Sequence, residues 1–196
     1  MSDAKPPFTA FIAAGRIAQG PLLDVALAVK TALDGGETGE ILIFDAAARP
    51  IEVDFRGGLT EVAQSAARTL AAADAGEAAR RGPGRPKLGV VAREVTLLPR
   101  HWAWLAEQPG GASVALRKLV EAASRDRRGH DRRRLAQEAA YRFISAMAGD
   151  RPHFEEATRA LFAGAKQKFI DLTQAWPHDI ADHARALGEG AFEDPR

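Results

Sequence analysis

The sequence lacks several features that define whole classes of protein. It has no cysteine among its 196 residues, which excludes disulfide frameworks and Cys-ligated zinc or iron–sulfur sites. No apolar run approaches the roughly 20 residues that a helix needs to cross a bilayer. The first residues, MSDAKPPF, lack the basic start and apolar core of a signal peptide. We therefore expect a cytoplasmic protein that does not enter a membrane.

Motifs of catalysis are also scarce. There is no P-loop, no dinucleotide glycine fingerprint and no H-E-x-x-H zinc motif. The run GASVA around Ser113 approximates a nucleophile elbow, but that elbow needs a strand directly before it. The run HDIADH from His178 pairs His and Asp at i, i+4, which favours surface ion pairs over a metal site with three or four ligands. We expect no cofactor, no metal and no enzymatic activity. An enzyme or small-ligand domain that uses the N-terminal sheet is the third-ranked alternative.

The net charge of +1 hides a strong asymmetry. Residues 80–134 hold 14 Lys and Arg against 5 acidic residues, a balance of +9, whereas the rest of the chain carries −8. A basic block inside an acidic protein favours a surface that faces a polyanion. The alternative is a basic stripe that the acidic flanks of the same fold neutralise.

Hydrophobic periodicity predicts an α+β fold with a small N-terminal antiparallel sheet. Within residues 1–58 the pattern is hairpin, helix, hairpin. The predicted elements are strands at Phe8–Ala13 and Ile17–Gln19, a helix over 22–33, and strands at Glu40–Asp45 and Ile51–Phe55.

Three further segments follow that unit. Residues 59–90 are predicted as a helix and a basic Gly/Pro linker, 91–124 as a strand–helix–helix segment, and 125–196 as a helical C-terminal region. The charge run SRDRRGHDRRR from Ser124 is either the end of one helix or the loop to the next.

The linker contains a basic arm, RRGPGRPK, which begins at Arg80. It resembles an AT-hook, in which an extended Gly-Arg-Pro core lets one Arg enter the narrow minor groove of A·T-rich DNA. The resemblance implies that Arg85 enters the groove between Gly84 and Pro86. We expect the remaining basic residues to contact phosphates, namely Arg80, Arg81 and Lys87. The alternative is a flexible basic linker.

The segment after the arm resembles the ribbon-helix-helix family of DNA-binding proteins. The matching features are a β-prone run at Arg93–Leu98, the Leu-Pro step at Pro99, Ser113 as a helix cap, and Arg117 one turn later. The resemblance implies a homodimer whose paired strands lie in the major groove, with Ser113 near a phosphate. Lys118 lies beside Arg117, off the apolar stripe of the second helix.

This ribbon departs from the family pattern. Its groove-facing positions would be Arg93, Val95 and Leu97, of which two are apolar, whereas base-reading positions are usually polar. Either the register differs, or the strand joins a sheet within the chain instead of pairing across a dimer.

Nearly the whole chain resembles an uncharacterised bacterial family of unknown function, DUF2239. The segments that carry this resemblance are FTAFIA, GPLLDVALAVKTALD, GRPKLGVVAREVTLLPRHWAWLAEQPGGASVALRKLVEAA, ATRALFAG and WPHDIADHA. It implies a bacterial cytosolic protein and supplies no catalytic residues. The leading hypothesis is a dimeric DNA-binding protein with a regulator-like role. The runner-up is an interaction or structural protein whose basic arm contacts an acidic protein partner.

Overall fold

The computed structural model describes residues 8–79 and 93–193. These residues combine one four-stranded antiparallel sheet with α-helices, so the expected α+β class is confirmed. The strands, in the order β2-β1-β3-β4, are β1 (Phe8–Ile12), β2 (Gly15–Gly20), β3 (Ile41–Asp45) and β4 (Pro50–Ile51). The helices are α1 (Leu22–Asp34), α2 (Leu59–Ala79), α3 (Pro99–Ala106), α4 (Gly111–Met147), α5 (Phe154–Ala163), α6 (Lys166–Leu172) and α7 (His178–Gly188).

The N-terminal hairpin–helix–hairpin is present, but its last strand is shorter than predicted. Only Pro50–Ile51 pairs with β3, whereas a strand was predicted to Phe55. The Asp54 N–H donates to Ser65 Oγ at 2.9 Å, and Thr69 Oγ1 donates to the Glu52 carbonyl at 3.1 Å. Because α2 side chains satisfy these backbone groups, the segment stays extended without joining the sheet. The alternation of apolar and acidic residues in 51–55 therefore reflects an extended segment with one face in solvent. It does not indicate that the segment pairs as a strand.

Helices α1 and α2 cover one face of the sheet. Ala10, Ile12 and Ile43 point to this side, as the pairing of β1 with β3 requires. Apolar residues that recur at helical spacing meet them, namely Leu22, Val25, Ala26 and Val29 of α1 and Val62 and Ala66 of α2. Burial of such side chains stabilises the fold by about 1.5–3 kcal/mol for each large one.

The opposite face of the sheet packs against the C-terminal helices through four rings, which we call the aromatic cluster: Phe11, Phe44, Phe143 and His183. Phe143 of α4 lies 5.4 Å from Phe11 and 5.2 Å from Phe44, between ring centroids. His183 of α7 lies 4.6 Å from Phe143 and 5.5 Å from Phe11. The molecule is therefore layered as helices, sheet and helices, with the C-terminal bundle built directly on the N-terminal sheet.

Partly buried polar contacts fix the C-terminal helices to one another and to the sheet. Arg185 donates to Thr173 Oγ1 at 3.0 Å and to the Ile170 carbonyl at 3.1 Å. Arg142 of α4 donates twice to the Ala47 carbonyl, at 3.0 and 2.8 Å. This second contact joins α4 to the loop between β3 and β4.

The strand that was predicted in the central segment is not found. Residues 93–98 have no regular secondary structure, so the predicted strand Arg93–Leu98 is wrong. Five of these six residues are exposed. A short β-prone run needs the backbone of a neighbouring strand to form a sheet, and no described strand pairs with this run. The ribbon-helix-helix resemblance is therefore not confirmed.

Replacing Phe143 with Ala should remove the centre of the aromatic cluster. We expect the free energy of unfolding to fall by about 3–5 kcal/mol, because a buried aromatic side chain leaves a cavity. Urea denaturation followed by circular dichroism measures the change. Tyr141→Ala is the matched control, since Tyr141 lies on the same helix but is 42% exposed. Equal losses in the two variants would contradict this role for Phe143.

Arg56 lowers the pKa of Asp54 to about 2, chiefly through its side-chain hydrogen bonds to that carboxylate. Arg56→Gln should return the pKa of Asp54 toward 3.8, its ordinary value. Because the folded-state pKa is depressed, the contribution of Asp54 to stability is present above its ordinary pKa and is lost as pH falls toward 2. Carboxyl-detected NMR titration measures the pKa of Asp54 in the unchanged protein and in the Arg56→Gln variant. Arg68→Gln, which removes a weaker and purely coulombic influence on Asp54, should shift the pKa less than Arg56→Gln does.

Candidate nucleic-acid interface

The candidate interface begins with a helical hairpin formed by α3 and the start of α4. Pro99 occupies the first turn of α3, after Leu98 in an extended conformation. This is where a residue without a backbone N–H is best tolerated. Leu105 of α3 is buried, and α3 packs against α4. Gly110 and Gly111 then reverse the chain with φ of 85° and 74°, a left-handed conformation that glycine adopts without strain.

These glycines start α4 earlier than the sequence pattern suggested. Ser113 was predicted as the N-cap, but the cap position is Gly110, and Ser113 lies exposed within the first turn. Its carbonyl accepts a hydrogen bond from Arg117 Nε at 3.1 Å. Ser113 and Arg117 are therefore close, but the serine does not cap the helix as the predicted phosphate contact required.

Helix α4 continues without a break through the charge run and through Gly129. It has 37 residues and is therefore about 55 Å long. Arginine is a good helix former, and several of the charged side chains make ion pairs one turn apart, which support the helix. These pairs are Arg125–Glu121 at 3.1 Å, Arg134–Glu138 at 2.8 Å and Arg134–Asp131 at 3.7 Å.

The two halves of α4 lie in different environments. The C-terminal half is anchored in the core by Ala139, Ala140, Phe143, Ile144 and Met147. Nearly all residues between Arg117 and Arg132 are exposed. The N-terminal half, together with α3, therefore extends away from the packed body.

One side of this exposed half carries basic residues, which we call the basic stripe: Arg117, Lys118, Arg125, Arg128 and Arg132. The four arginines are separated by 8, 3 and 4 residues, so they fall on one side of a helix with 3.6 residues per turn. Over residues 117–134 there are eight Lys and Arg against three acidic residues. The result is an exposed cationic surface along about 22 Å of helix.

Few acidic groups neutralise the stripe within the described residues. Arg125 pairs with Glu121, and Arg132 approaches Glu193 only at 4.0 Å. Among residues 8–79 and 93–193, Lys118 and Arg128 form no ion pair. Neutralisation by the acidic flanks of the same fold is therefore slight at this surface.

Arg134 differs from the stripe because it is held by carboxylates. Hydrogen bonding to Glu138, with a smaller effect of Asp131, raises the pKa of Arg134. Its guanidinium is thus a fixed charge committed to partners on its own helix.

The remaining predicted site residues fall into two groups. Arg93 and Lys118 are exposed. The predicted hook lies outside the described residues, namely Arg80, Arg81, Gly84, Arg85, Pro86 and Lys87.

Arg125, Arg128 and Arg132 were not predicted as site residues, because the charge run could be either a helix or a loop. Their spacing is the signal that would have identified them, once the helix was taken as continuous.

The His and Asp side chains considered as metal ligands make ion pairs and hydrogen bonds within the fold. In the described part of the chain, no group of three or more His, Cys, Asp or Glu side chains could hold a metal ion. His178 pairs with Asp182 at 3.2 Å, as expected for surface ion pairing. Asp179 accepts the Arg16 backbone N–H at 2.8 Å and so joins α7 to β2. None of the helices in the described residues is long and apolar enough to span a membrane.

Comparison with known proteins identifies a family but no activity. No curated protein and no solved structure matches the chain. Residues 7–188 match a family described as "Uncharacterized protein conserved in bacteria (DUF2239)". That match covers the whole four-stranded sheet, both helical layers and the exposed half of α4. The chain therefore belongs to the DUF2239 family of bacterial proteins.

Proposed function

We propose that this protein binds nucleic acid, and DNA in particular, through the exposed basic half of α4 together with the basic arm that precedes α3. The observation that supports the proposal most directly is the basic stripe. Its cations are exposed, lie on one side of a helix and are little neutralised by the rest of the described chain.

The dimensions of the stripe suit a nucleic-acid backbone. From Arg117 to Arg132 it extends about 22 Å. Over that length each strand of a DNA duplex carries about six phosphates, at one per 3.4 Å of helix axis. Arginine suits this role because its planar guanidinium can bind phosphate oxygens through two parallel hydrogen bonds.

Such contacts would place the protein on the duplex with little reading of base sequence, because phosphates are the same at every base pair. Any preference for A·T-rich DNA would come from Arg85 in the arm, whose chemistry suits a narrow minor groove. The helix would thus supply affinity for the DNA backbone, and the arm would supply any preference for A·T-rich sequence.

An acidic protein surface is the second candidate, because the same exposed cations would attract its carboxylates. The two candidates differ in their response to competitors. Capture of one protein that persists after nuclease treatment would favour the protein partner and would count against DNA.

The triple substitution Arg125→Gln, Arg128→Gln and Arg132→Gln should weaken binding to a 20-base-pair duplex by at least about tenfold at moderate salt, because each lost phosphate contact removes counterion release. The slope of log K against log salt should become shallower by about 2–3 for three contacts. Fluorescence anisotropy at several salt concentrations measures both quantities.

The matched control removes the same charge elsewhere, through Arg49→Gln, Arg68→Gln and Arg159→Gln, which are exposed positions on other elements. The control should bind nearly as the unchanged protein does. No binding by the unchanged protein at low salt, or equal losses in both triple variants, would refute the proposal.

Arg85→Ala should remove a preference for A·T-rich over G·C-rich duplexes while reducing overall affinity only modestly, because only the groove-inserted arginine senses groove width. Arg80→Ala is the control and should weaken binding to both duplexes equally. Parallel anisotropy titrations with the two duplexes give the affinity ratio. An unchanged ratio in Arg85→Ala would show that the arm does not act as a hook.

A further inference from the structure

A groove lies on the packed body of the protein, next to the end of the basic stripe. It is bounded by α4, the loop that joins β3 to β4, and the C-terminal end of α7, and its volume is about 360 Å³. Eight of the ten described residues that line it are Ala, Leu or Gly. Its volume falls within the roughly 300–1,000 Å³ of ligand pockets, which are also mostly apolar with a few polar groups. The groove therefore suits a small group with apolar faces.

The groove lies on the same side of α4 as the basic stripe. One row of residues runs along this side at alternating steps of three and four: Arg125, Arg128, Arg132, Leu135, Ala139 and Arg142. At 3.6 residues per turn these positions fall within an arc of about 100°. The last three of them line the groove. Leu135 follows Arg132 by about 5 Å along the helix axis, so a strand bound along the stripe leads into the groove.

Arg142 provides a flat surface of fixed orientation in the groove. Its Nε and Nη2 atoms donate to the Ala47 carbonyl at 3.0 and 2.8 Å, which sets the plane of the guanidinium. The side chain nevertheless remains 38% exposed. Planes of arginine guanidinium groups are among the surfaces on which unpaired nucleic-acid bases stack.

The carboxylates beside the groove have cationic partners. Glu189 is the single carboxylate among the described residues that line it, and Lys166 donates to this group at 3.0 Å. Glu138 accepts from Arg134 at 2.8 Å and lies 4.0 Å from Arg142. The groove therefore carries little net charge beyond Arg142 itself, whereas the stripe is strongly cationic.

These two adjoining surfaces match the two parts of a nucleotide. The phosphate is anionic and suits the stripe, whereas the base is uncharged, flat and apolar on its faces. Within a duplex those faces are stacked on neighbouring bases, so only an unpaired base can enter a groove in a protein.

We propose that the groove accepts an unpaired base, and that the DNA form bound best has a single-stranded end adjoining the strand on the stripe. The base would lie against Leu135 and Ala139 and stack on the Arg142 guanidinium. This inference rests on the proposed DNA binding, because the stripe must hold the strand, and it specifies which form of DNA is recognised.

Three DNA probes test the inference on the unchanged protein. They are a blunt duplex, the same duplex with a short single-stranded overhang, and the same overhang made of abasic nucleotides. Fluorescence anisotropy should show about tenfold tighter binding of the overhang that carries bases than of the blunt duplex, because base stacking adds affinity. The abasic overhang should lose most of this advantage, since it keeps the phosphates but has nothing to stack.

Filling the groove should abolish the preference for the overhang. The double variant Ala46→Leu and Ala186→Leu places larger side chains at two exposed lining positions that lie outside the stripe. The matched control, Ala67→Leu and Ala163→Leu, makes the same change at exposed positions on α2 and α5 and should keep the preference. Circular dichroism melting verifies that both variants are folded.

Arg142→Lys tests the guanidinium plane separately. Lysine keeps the positive charge but has no planar group on which a base can stack, so the ratio of overhang to blunt affinity should fall. Arg159→Lys makes the same exchange on α5, and there the ratio should stay unchanged.

The outcomes separate this inference from DNA binding itself. No binding of any probe at low salt would refute DNA binding and this inference with it. Equal affinity for blunt and overhang duplexes, or an abasic overhang bound as tightly as the overhang with bases, would overturn only the groove. A preference that survives filling of the groove would also overturn it.

Discussion

The contact between Phe143 and the two sheet phenylalanines is the interaction on which the rest of this molecule depends. Phe11 and Phe44 come from neighbouring strands, and Phe143 of α4 packs its ring against both of them. Without this contact the sheet would have one covered face and one apolar face open to water. His183 completes the group from α7, so elements more than a hundred residues apart in the sequence share one buried site. The orientation of α4, and of everything attached to it, follows from this packing.

Helix α4 links the core to the candidate interface. Its C-terminal half is held by Phe143, Ile144 and the Arg142 contacts to the Ala47 carbonyl. Its other half packs against α3, and nearly all of its residues from Arg117 onward are exposed. One continuous helix therefore serves two purposes, since it fills the core at one end and presents cations and apolar side chains at the other. A charged helix is stable in this position because ion pairs one turn apart and good helix formers compensate for the lack of packing.

Much of the fold could be predicted from the sequence, because its signals were local. Strand alternation around Phe8 and Ile41, and the apolar spacing from Leu22, predicted the first three strands and the first helix correctly. The strand at Arg93–Leu98 was wrong because β-propensity does not supply a pairing partner. The extent of α4 was missed because Gly129 and the dense charge looked like a boundary, whereas side-chain pairs along the helix stabilise it. The basic character of the interface was visible in composition. Its arrangement as a stripe depended on knowing that the helix continues.

The unbroken course of α4 has a mechanical consequence. Phe143 and Arg117 are separated by 26 residues on one helix, or about 39 Å. A helix of this kind bends only gently unless a proline, a bulge or an inserted group interrupts it. A force applied at the hairpin would therefore be transmitted along α4 to the aromatic cluster and the sheet. The direction in which the exposed end of α4 points is set by the buried side chains at its other end.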